Sequence, residues 1–135
     1  MAGSPPAPPR GPASLVLVVE DEILIALDLA ATLEEAGYRV LGPAPTVAMA
    51  LSLLGQQRPD AAVLDMSLRD GMVTPVAWLL RRMEVPFVVA SAYGRSALPD
   101  DEALAGAPSL GKPTSGAVLL PAMEDLLRGG ALGHA

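Results

Sequence analysis

The chain contains no cysteine, which excludes disulfide frameworks and thiolate chemistry. Aromatic residues are scarce: one Trp, two Tyr and one Phe, although 51% of the 135 residues are hydrophobic. Any core must therefore be built from Leu, Val and Ala. Positive charge is also sparse. A net charge of −6 argues against nucleic acid as a direct partner. No apolar run reaches the roughly 18 residues of a membrane span. Residues 1–13 hold five prolines and no apolar core, so they are not a secretory signal and read as a disordered tail. Residues 130–135 read as a flexible C-terminal tail carrying His134, the lone histidine, for which no role is expected. The expected compartment is the cytoplasm. Lysine is rarest among the charged types: Lys112 stands alone beside eight arginines. Arginine cannot replace a compact ammonium on a flexible stem, so the position of that one lysine matters.

What is present is a repeating alternation. Leu15–Val19 is a short apolar run suited to a strand buried on both faces. Residues 22–36 favour a helix with one polar stripe of Asp28, Thr32 and Glu35 on an otherwise apolar surface, stopped by Gly37. Tyr38–Leu41 reads as a second strand, followed by a Gly-Pro-Ala-Pro loop. Thr46 can cap a helix to about Gln57, and Ala61–Leu64 forms a third strand. A loop over Ser67–Gly71 leads to a helix with Pro75 in its first turn, then to a strand at Phe87–Ala90. Residues 95–106 leave room for only a short helix, Ser109–Leu110 is a weak fifth strand, and a last helix from Thr114 or Ser115 should be kinked or divided by Pro121. Strands alternating with helices imply a parallel sheet covered on both faces. The expected architecture is a flavodoxin-like α/β fold, a doubly wound (βα)5 sheet in the order 2-1-3-4-5. In that order strands 1 and 3 are neighbours at the topological switch point, where ligands bind.

Glu20-Asp21 and Asp65 follow those two strands directly. Taken alone, such acids serve equally well as helix caps and turn residues. Brought together they would repel, and a hard dication such as Mg²⁺ resolves the repulsion by taking carboxylate oxygens while keeping several waters. Ser91 closes strand 4 with a hydroxyl able to donate to a phosphoryl oxygen, and Lys112, after strand 5, can neutralise the same oxygens. The joint placement points to a pocket that handles Mg²⁺ and a phosphoryl group.

The set Val-Val-Glu20-Asp21-Glu22, Asp65, Ser91 and Lys112-Pro113 resembles that of response-regulator receiver domains, over about residues 14–129. Asp65-Met-Ser-Leu-Arg-Asp-Gly leading to Pro75, and Pro86-Phe-Val-Val-Ala-Ser91-Ala92-Tyr93-Gly94-Arg95, resemble the alphaproteobacterial FAT GUY group. The resemblance implies that Asp65 takes a phosphoryl group from a sensor histidine kinase or a histidine phosphotransfer protein. It also implies that Asp21 binds Mg²⁺ directly, Glu20 through a water, and Ser67 through its backbone carbonyl. Lys112 pairs with the phosphoryl group, and the Lys112–Pro113 bond is expected to be cis. Such a protein is a phosphoacceptor rather than a turnover enzyme.

The chain departs from that pattern in places. Ser109 stands where most receivers carry an aromatic switch residue, and Thr114 where an aromatic often follows Lys-Pro. The expected protein is a stand-alone receiver, with a downstream protein contact on the 95–128 face. Two competitors remain. One is a degenerate receiver that binds partners without phosphate. The other is a small Mg²⁺-dependent phosphotransferase of another α/β family, which the Glu-Asp-Glu after strand 1 fits poorly.

Overall fold

The computed structural model describes residues 14–91, 102–111 and 114–129. Strand β1 (Leu15–Val19) leads into helix α1 (Ile23–Glu35), β2 (Arg39–Ala44), α2 (Val47–Gln56) and β3 (Ala61–Asp65). A small hairpin of β4 (Ser67–Leu68) and β5 (Gly71–Met72) follows, then α3 (Thr74–Arg82) and β6 (Phe87–Ser91). After a 3-10 turn at Glu102–Leu104 come β7 (Ser109–Gly111) and α4 (Gly116–Gly129). The main sheet runs β2-β1-β3-β6-β7 with every pairing parallel. With the short hairpin set aside, this is the 2-1-3-4-5 order of a flavodoxin-like fold.

The strands alternate between two apolar layers. Val16 and Val18 of β1 and Val63 of β3 pack with Leu29 and Leu33 of α1 and Leu119, Met123 and Leu126 of α4. Leu17, Val19 and Leu64 face the other way, against Ala50 and Leu54 of α2 and Val76, Ala77 and Leu80 of α3. Both faces are thus covered, which is why β1 and β3 lack polar alternation. Each aliphatic side chain buried this way stabilises the fold by roughly 1.5–3 kcal/mol.

Three local expectations change. The Gly-Pro-Ala segment after Leu41 is not a loop: β2 continues through Ala44. The pairing slips by one residue there, from Leu17↔Leu41 to Val19↔Ala44, so β2 carries an extra residue. Gly42 sits at φ +98, and a Cβ on it would lie 2.8 Å from the Ala44 amide nitrogen and 3.1 Å from the Val18 carbonyl oxygen. Only glycine fits that position. The Gly42–Pro43 bond is cis; the expected cis bond at Lys112–Pro113 lies outside the described residues. Second, α4 is a single helix with Pro121 inside it. Proline removes one amide hydrogen bond, but Leu119, Met123 and Leu126 on either side are buried and hold the helix to the sheet. Third, the expected loop over Ser67–Gly71 contains a hairpin, Ser67–Leu68 pairing with Gly71–Met72, and Gly71 sits at the positive φ expected of it, +138.

Candidate metal and phosphoryl site

The register of the sheet assembles the site. Val19 of β1 pairs with Leu64 of β3, so Glu20 and Asp65 leave adjacent strands at one level. Ligand oxygens of Glu20, Asp21 and Asp65 all lie within 4.8 Å of one another. Glu20 and Asp65 are the buried charged residues among those described, at 2% and 7% exposure. Glu20 is held by both ends. Its amide donates to the Ala44 carbonyl at 3.0 Å, and its Oε2 accepts from the Glu22 amide at 3.1 Å. The bulge in β2 thus turns the Ala44 carbonyl toward the end of β1.

Two like charges about 4 Å apart near a protein surface repel by roughly 4 kcal/mol. A cluster of three carboxylates, two of them buried, calls for a cation. Oxygens that all lie within 4.8 Å of one another are close enough together for a single ion to engage them. The set is all oxygen, as a hard dication prefers.

The hairpin closes one side of this crevice. Arg69, at its tip, donates from its guanidinium to the Asp21 backbone carbonyl at 3.2 Å. Asp21, Glu22, Ile23, Leu24, Ile25 and Arg69 line a depression beside the acids. Its rim is apolar and open: Ile23 is 68% exposed and Leu24 79%, and Leu27 further along α1 is 55% exposed.

Of the residues predicted for the site, Glu20, Asp21 and Asp65 converge. Ser67 belongs to β4, two residues past Asp65, where its backbone was expected to contribute. Ser91 ends β6 and pairs with Gly111, so β7 stops at the same end of the sheet. Lys112 and the Tyr93 region lie outside the described residues. The Ser109 hydroxyl is buried without a hydrogen bond among the described residues. Sequence reasoning missed Arg69, Asp70 and Arg81. Arg81 donates to the carbonyls of Ala103 (2.6 Å) and Ala105 and lies over the Phe87 ring at 5.3 Å. Asp70 accepts from the amides of Val47 and Ala48, and those bonds, the Val47 amide first, hold its carboxyl below the ordinary aspartate range. No helix among the described residues is long and apolar enough to cross a membrane.

No family model matches the chain. Individual proteins do. The transcriptional regulatory protein PdtaR of Mycobacterium tuberculosis is 36% identical over 112 residues, which cover 81% of this chain and 54% of PdtaR. The chain therefore spans about half the length of that curated relative. The solution structure of SdrG from Sphingomonas melonis superimposes with a TM-score of 0.73 at 35% identity, over 86% of this chain and 98% of SdrG. The PhyR response regulator REC domain of Erythrobacter litoralis gives 0.75 at 25% identity, over 86% of this chain and 91% of that domain.

Proposed function

The chain belongs to the response-regulator receiver family, signalling modules of two-component systems rather than turnover enzymes, and we propose that it accepts a phosphoryl group on Asp65. The observation that carries this reading is the convergence of Glu20, Asp21 and Asp65 at the ends of two adjacent parallel strands. A carboxylate oxygen of Asp65 attacks the phosphorus of a phosphohistidine. The new O–P bond forms an acyl phosphate as the N–P bond to the donor imidazole breaks.

Asp21, Asp65, Glu20 and the Ser67 backbone carbonyl would hold Mg²⁺. The ion would supply charge neutralisation for the phosphoryl oxygens, the main requirement of phosphoryl transfer. Ser91 donates its hydroxyl to one of those oxygens, and Lys112 pairs with another. The donor is a sensor histidine kinase or a histidine phosphotransfer protein. It reaches Asp65 over the exposed apolar residues Ile23, Leu24 and Leu27 of α1, where apolar area near a charged pocket suits a protein contact. The working unit is residues 14–129, acting in the cytoplasm, with a downstream protein contact on the 95–128 face.

Incubation with a kinase or a small phosphodonor and Mg²⁺ should label the wild type once, with an alkali-labile bond. Asp65→Asn should carry no label, and undiminished labelling of that variant refutes the assignment. The lone lysine gives a second measurement. Beryllofluoride should shield Lys112 from amine-reactive reagents while the N-terminus stays reactive.

One observation favours a second reading. Ser109 places a small residue, its hydroxyl without a hydrogen bond among the described residues, where the family's switch aromatic usually stands. A receiver that binds its partner without phosphate would show beryllofluoride-induced NMR shifts confined to the pocket, and unchanged partner affinity.

A further inference from the structure

The tip of the β4–β5 hairpin consists of Arg69 and Asp70, and the two residues are fastened in different directions. Arg69 reaches the Asp21 carbonyl, 48 positions away in sequence. Asp70 reaches the N-terminus of α2: its Oδ1 accepts from the Val47 amide at 2.8 Å and its Oδ2 from the Ala48 amide at 3.1 Å. The Thr46 hydroxyl takes the next amide, Met49, at 3.1 Å, and the helix's own bonds begin with Ala50 donating to Thr46 at 3.1 Å. The three leading amides of α2, which no residue of the helix can satisfy, are thereby shared between a local cap and a carboxylate from a distant loop. Thr46 alone would be an ordinary cap. The division of labour makes Asp70 a tie between two segments.

That tie bears on the site through a short stretch of chain. Ser67 pairs with Met72 and Leu68 with Gly71, and the Val73 amide donates to the Met66 carbonyl at 3.0 Å. The hairpin is therefore a small hydrogen-bonded unit, and a pull at its tip is felt at Ser67. We infer that Asp70 is a positioning residue for the metal site, holding the Ser67–Met72 hairpin so that the Ser67 carbonyl and the Asp21 loop keep their places beside Asp65. This rests on the reading of Glu20, Asp21 and Asp65 as a Mg²⁺ centre. Asp70 touches neither metal nor phosphate; it acts through the hairpin, and Arg69 passes the same restraint to Asp21.

The test compares Mg²⁺ titrations of the folded wild type, Asp70→Ala, Asp70→Asn and Thr46→Ala, with amide hydrogen exchange followed over residues 66–73. Thr46→Ala weakens the same helix end without touching the hairpin, so it reports a merely structural effect. Asp70→Ala should weaken Mg²⁺ binding by roughly tenfold, as loss of a residue supporting metal ligands does. It should also speed exchange across the hairpin. Asp70→Asn keeps one acceptor oxygen and should fall between it and wild type, which also covers the case that the alanine variant does not fold. Thr46→Ala should bind Mg²⁺ as wild type does. Wild-type affinity in both Asp70 variants, or an equal loss in Thr46→Ala, overturns the inference while leaving the metal centre standing. A wild type that shows no Mg²⁺-specific binding removes both.

Discussion

The amide of Glu20 donates to the carbonyl of Ala44 at 3.0 Å, so the first acid of the site hangs on the bulged end of β2. That bulge depends on Gly42, whose φ of +98 and contact with the Ala44 nitrogen leave no room for a Cβ. Gly42→Ala should destabilise the protein by roughly 1–3 kcal/mol through backbone strain. It should also blunt the response to Mg²⁺, because Glu20 shifts with the bulge. Denaturant midpoints with and without Mg²⁺ measure both effects. An unchanged midpoint would mean that the bulge relaxes freely.

Clustered acids destabilise the metal-free protein, so Mg²⁺ should raise the melting temperature more than Na⁺ at equal ionic strength. A ligand at about ten times its Kd stabilises by roughly 1.4 kcal/mol. Asp21→Asn should remove most of the Mg²⁺-specific part. Identical responses in the two proteins would exclude Asp21 as a ligand.

Arg81 fastens the 3-10 turn to α3 through two carbonyls and covers Phe87. Arg81→Ala should cost roughly 1–2 kcal/mol, the range of a charged hydrogen bond partly open to water. Arg81→Lys should recover little of it, since an ammonium lacks the planar fork that spans two acceptors. Hydrogen exchange should rise in residues 102–111 in both variants. Exchange left at the wild-type rate there would show the fastening to be dispensable.

Asp70 gives a pH dependence with a definite sign. Its carboxyl is held below the ordinary value of 3.8 by the Val47 and Ala48 amides. A depressed folded value stabilises the protein above the unfolded value, and that contribution is lost as the pH falls through the folded one. The stability gap between wild type and Asp70→Asn should therefore be constant at neutral pH and close only below 3.8. Urea unfolding across that range measures it. A gap that persists undiminished in acid would show that it does not come from the charge.

The strand core and the acid set were legible in the sequence because both are local. Five apolar residues in Leu15–Val19 dictate a strand buried on two faces, and an acid directly after a strand must emerge at its end. Thr46 capped α2 as expected for the same reason. What failed to show was tertiary. The bulge at Gly42 is fixed by the proximity of the Val18 carbonyl on another strand. Arg69, Asp70 and Arg81 find partners 22 to 48 residues away, and no spacing rule encodes such pairs. Which apolar residues of α1 the sheet would cover was not legible either, because Ile23, Leu24, Ile25 and Leu27 are all apolar and periodicity could not separate them.

That two-sided helix separates two kinds of mutational freedom. Ala26, Leu29, Ala30 and Leu33 anchor α1 to the sheet, while Ile23, Leu24 and Leu27 are exposed. Substitutions on the outer row leave the packed core and the acid cluster intact, and they change only the surface presented beside Asp21. A duplicated copy of this domain can thus change the surface it offers a partner through three positions within one five-residue stretch, at nearly the same stability.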